Sequence, residues 1–71
     1  MKYIKFTVKP LIGKEAVVVL KYYNDDLRPP LDYTWKTPRE TITSTVGTHR
    51  EYRNYVRRGL TGYEDLVEVL R

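Results

Sequence analysis

Four arginines, Arg50, Arg53, Arg57 and Arg58, fall in the stretch HREYRNYVRRGLTG, residues 49–62, interleaved with Tyr52, Tyr55 and Val56. A guanidinium is a permanent, forked donor suited to phosphate oxygens, and aromatic rings beside it are what a single-stranded nucleic acid stacks on. Lys5, Lys9 and Lys21 form a second group of cations in the N-terminal half. Other chemistry is poorly supplied. With one histidine, one serine and no cysteine, there is no nucleophile set beside a base and an orienting carboxylate, so His49 reads as a residue of a helix start rather than a general base. Asp25 and Asp26 are adjacent in a turn without the further oxygen ligands that a divalent cation needs. Gly13 in LIGKE stands alone, not in a multi-glycine phosphate cradle. No catalytic residue, metal ligand or cofactor is expected, and the chain reads as non-enzymatic.

The charge is unevenly spread. The chain carries a formal +4, with eight Lys or Arg against five acids over residues 1–47 and four Arg against one acid over 48–60. Residues 61–71 reverse the sign, with Arg71 against Glu64, Asp65 and Glu68. A basic excess packed into thirteen residues favours an acidic partner, nucleic acid first among them. The longest apolar run, Ala16 to Leu20, is too short to span a bilayer, and MKYIKFTVKP lacks a signal-peptide core. A cytoplasmic protein without a membrane partner is expected.

At 71 residues and without a disulfide, the chain is expected to be one compact domain, residues 1–46 forming a sheet and 48–71 two helices. In YIKFTVK, Ile4, Phe6 and Val8 alternate with Lys5, Thr7 and Lys9, the period of a half-buried strand. EAVVVLKYY is a second strand, expected to be central and antiparallel to the first. Its faces are Ala16, Val18, Leu20 and Tyr22, and Val17, Val19, Lys21 and Tyr23. NDDLRPPLD is a loop, because Asn24 and the aspartates form turns while Pro29 and Pro30 cannot pair in a ladder. Leu31, Tyr33 and Trp35 alternate as a third strand. TPRE then admits a helix start, with Thr37 and Glu40 as a capping box, or a hairpin turn. The β-branched run TITSTV favours the hairpin and a fourth strand with Ile42 and Val46 facing the core.

Thr48 and Glu51 mark the start of a helix over HREYRNYVRR that Gly59 ends, and Thr61 with Glu64 starts another over GYEDLVEVL. The fold class is therefore α+β: a small, mostly antiparallel sheet of three to four strands packed by two short C-terminal helices. On a helical wheel Tyr52, Tyr55 and Val56 share the core stripe, while Arg50, Arg53 and Arg57 lie on the adjacent flank. Rings and arginines thus occupy different faces, and the interleaving of the opening stretch is largely helical period.

The arginine row suits a phosphate backbone, an acidic protein partner or plain solvation. The reading that follows is a small basic module contacting nucleic-acid backbone, DNA or RNA, through Arg50, Arg53, Arg57 and Arg58, with Lys5, Lys9 and Lys21 as a secondary patch. The alternative is a protein-interaction or inhibitory module, as a homodimer or with another protein. It would use Tyr3, Val17, Val19 and Tyr23 on an open sheet face, or a sheet edge. A helix-turn-helix over residues 48–70 is disfavoured, since its reading helix would present Glu64, Asp65 and Glu68 to phosphates.

Overall fold

A computed structural model of the chain describes residues 3–13, 15–24 and 26–59. Four strands, β1 (Tyr3–Pro10), β2 (Val17–Tyr22), β3 (Thr34–Lys36) and β4 (Glu40–Val46), precede one helix, α1 (His49–Arg58). The strands form one antiparallel sheet in the order β2-β1-β4-β3. β1 and β4 fill its middle. β2, expected to be central, stands at an edge, because β4 takes the other side of β1.

Alternation on β1 sets the sheet's two faces. Ile4, Phe6 and Val8 are fully buried, and cross-strand pairing joins them to Val17, Val19 and Lys21 of β2 and to Ile42, Ser44 and Val46 of β4. The segment between β2 and β3 helps cover this apolar face. Tyr23 and Trp35 set their rings 6.3 and 6.2 Å from Phe6, Leu31 packs against the same core, and Pro29 is buried. Buried Ser44 ties the segment down, its Oγ donating to the Pro30 carbonyl at 2.8 Å and accepting from the Tyr33 amide at 3.1 Å. A hydroxyl in an apolar interior is tolerated because both its roles are met. Val46, expected in the core, lies beyond this cover and is exposed.

The hairpin over TPRE forms. Thr37 donates its amide to the Glu40 carbonyl at 2.9 Å, and its Oγ1 accepts from the Glu40 amide at 2.9 Å. The Thr–Glu pair that resembles a helix cap is used as a turn clamp, and β-branched TITSTV continues as β4.

α1 packs on the opposite face, over Tyr3 and Lys5 of β1 and Leu20 of β2. Gly47 makes that crossing possible: a Cβ there would lie 2.9 Å from Leu20 Cδ2 and 3.4 Å from the backbone at Ile4 and Lys5. Among the described residues a single helix packs the sheet, which corrects the expectation of two. The second expected helix, over GYEDLVEVL, lies outside the described residues.

Candidate functional site

The helix carrying the arginines begins with a complete capping box. The Glu51 amide donates to Thr48 Oγ1 at 3.1 Å, and the Thr48 amide donates to Glu51 Oε1 at 3.2 Å. Gly59 closes it in the left-handed conformation at φ 62°, beside Arg57 and Arg58, whose charge suits the negative end of the helix dipole. Three contacts fix its rotation on the sheet. Tyr3 Oη and His49 Nδ1 are hydrogen-bonded at 2.7 Å, the Tyr3 and Tyr52 rings lie 5.2 Å apart, and Lys5 Nζ donates to Glu51 Oε2 at 3.1 Å. Glu51 is held below the usual carboxylate range, chiefly by the Lys5 hydrogen bond and further by Thr48, against the opposing cost of partial desolvation.

These contacts turn Glu51, Tyr52 and Tyr55 towards the sheet. Val56, expected in the core stripe, is 58 % exposed instead. A charged residue has taken an inward position because Lys5 meets it there. Arg50, Arg53 and Arg57 then lie roughly 170° round the helix from the inward side, given 3.6 residues per turn. All three are exposed, and among the described residues no carboxylate pairs with them. With His49 and Asn54 they border a shallow hollow. Arg58 is set apart: it lines a groove between α1 and β2 with Val18, Leu20, Glu51, Asn54 and Tyr55. At about 210 Å³ that groove is smaller than the roughly 300–1,000 Å³ of most small-molecule sites.

The lysines of the secondary patch are not brought together. Lys5 and Lys9 lie on the helix-bearing face, but Lys5 is paired with Glu51. Lys21 pairs opposite Ile4 and so belongs to the apolar face. The residues named for a protein interface are also divided. Tyr3 is under α1, Val19 and Tyr23 are buried in the core, and half-buried Val17 packs against that core. The expectation that Tyr3 shares an open sheet face with Val17, Val19 and Tyr23 is overturned by the β1–β2 register, which pairs Tyr3 with Tyr22 and Thr7 with Val18.

The register also assembles a surface that sequence reading missed. On the helix-bearing side, Lys36, Thr41 and Lys9 form one row across β3, β4 and β1. Thr34, Thr43 and Thr7 form the next. The available signal was the TPRE turn: a hairpin there sets Thr34 and Lys36 opposite alternate threonines of TITSTV. Among the described residues no three His, Cys, Asp or Glu side chains are arranged to hold a metal ion, and no helix is long and apolar enough to cross a membrane. Comparison with known protein families, curated proteins and solved structures found no match for this chain.

Proposed function

We propose that this chain is a small non-enzymatic module that binds the backbone of nucleic acid through the outer flank of α1. The observation that carries the reading is the row of Arg50, Arg53 and Arg57, spaced by one helical turn and exposed, with no ion-pair partner among the described residues. Guanidinium groups at that spacing on a capped helix can meet successive phosphates without further ordering of the backbone that carries them. Arg58 lies on the groove side and contributes less. A cytoplasmic location goes with this reading, since nucleic acid is within reach there.

The test is a salt titration of binding to a random-sequence DNA duplex. Each phosphate contact contributes about 0.9 to the slope of log affinity against log salt, so Arg53→Ala with Arg57→Ala is expected to flatten the slope by about 1.8. No binding at about 50 mM salt, or an unchanged slope in the double variant, overturns the reading.

A further inference from the structure

The sheet face beside α1 is the polar counterpart of the apolar core face, and its composition selects a partner. Over β1, β4 and β3 it presents Thr7, Lys9, Thr41, Thr43, Thr34 and Lys36 beyond the area that α1 covers. β1, β3 and β4 place no carboxylate on this side. The hydroxyls of Thr7, Thr34, Thr41 and Thr43 form no hydrogen bond to another described residue. Lys9 and Lys36 flank Thr41 from the strands on either side, which separates their Cα atoms by two strand spacings, about 10 Å. Hydroxyls and ammonium groups at this separation can contact distinct phosphates.

We infer that this threonine–lysine face is a second contact surface for the phosphodiester backbone of a nucleic-acid duplex. The inference rests on the function proposed above. A duplex is favoured over a single strand because, among the described residues, this part of the face carries no aromatic ring. Tyr3, the aromatic residue that β1 places on this side, is engaged with Tyr22, His49 and Tyr52 under and around α1. Single-strand binders rely on rings to stack bases, whereas a duplex hides its bases and offers phosphates. The shape agrees. α1 stands on the same side of the sheet and adds roughly 10 Å of height, so its outward arginines form a ridge beside the threonine–lysine floor. A rod with charge on its outside can rest on ridge and floor together.

The experiment measures binding of a labelled random-sequence DNA duplex, and of one of its strands, across about 50–200 mM salt. The proteins compared are the full chain, Lys9→Gln with Lys36→Gln, Thr34→Glu, and Arg53→Ala with Arg57→Ala. All the substituted side chains are exposed, and circular dichroism checks that each variant folds. The lysine pair is expected to flatten the duplex slope by about 1.8 and to change single-strand binding far less. Thr34→Glu, which sets a negative charge on the floor, is expected to lose duplex affinity; if it fails to fold, the lysine pair decides alone. A flattened slope in the arginine variant with none in the lysine variant overturns the second surface and leaves the function standing. Equal losses for duplex and single strand in the lysine variant overturn the assignment to duplex. No binding by the full chain overturns both.

Discussion

The two faces of the sheet are made by the same strands and have opposite fates. On β1 Ile4, Phe6 and Val8 are wholly buried, and Tyr3, Lys5, Thr7 and Lys9 alternate with them on the other side. On β4 the buried residues are Ile42 and Ser44, and Thr41, Thr43 and Thr45 alternate with them towards α1. Among the described residues the buried side chains lie on the first face, apart from Leu20 beneath α1. The other is then free to carry charge, and it is the face on which the arginine helix stands. On the function proposed above, stability and recognition are separated by the two-residue period of the strand.

That separation can be broken from the apolar side first. Phe6→Ala removes the ring against which Tyr23 and Trp35 pack. It is expected to destabilise by about 3–5 kcal/mol, most or all of the margin of such a domain, as measured by urea denaturation. Thr7→Val, one residue along on the other face, is expected to stay within about 0.5 kcal/mol. Equal losses at the two positions would contradict the separation. Ser44→Ala comes next. It strands the Tyr33 amide and the Pro30 carbonyl, so about 1–3 kcal/mol should be lost although only one oxygen is removed.

Smaller effects belong to the helix. Thr48→Ala is expected to cost about 1 kcal/mol through the lost cap. Glu51→Gln should cost less than about 1 kcal/mol, because solvent screens a pair whose side chains are 34 % and 36 % exposed. Its signature is pH dependence. The Glu51 carboxyl titrates below its ordinary value of 4.5 in the folded chain, so its contribution is complete above that value and disappears as pH falls through the lower, folded one. The stability difference between the full chain and Glu51→Gln should therefore shrink in acid, and a difference that grows there would reverse the assigned sign.

Much of this was legible in the residues. β1 announces itself by clean alternation, and the capping box at Thr48 and the left-handed Gly59 follow local rules that tertiary context did not override. The register of β2 was not legible, for a physical reason. Both its faces are apolar, with Val17 and Val19 on one and Val18 and Leu20 on the other, so hydrophobic pattern cannot choose between pairings one residue apart. That single residue decides whether Val19 is core or surface. The rotation of α1 was hidden likewise: Tyr52 and Tyr55 face inward as expected, but Glu51 displaces Val56 because its partner, Lys5, is 46 residues distant in sequence. The threonine–lysine face needed two registers at once, β1 with β4 and β3 with β4, and no local pattern holds both.

Side-chain methyl groups report the two faces separately, so their NMR shifts tell whether nucleic acid meets the polar face and spares the apolar one. On titration with a short DNA duplex, the methyls of Thr7, Thr34, Thr41 and Thr43 should shift along with signals of Arg50, Arg53 and Arg57, while those of Ile4, Val8, Val19 and Ile42 stay in place. Shifts concentrated on the apolar set, or absent from both the threonines and the arginines, would contradict the account.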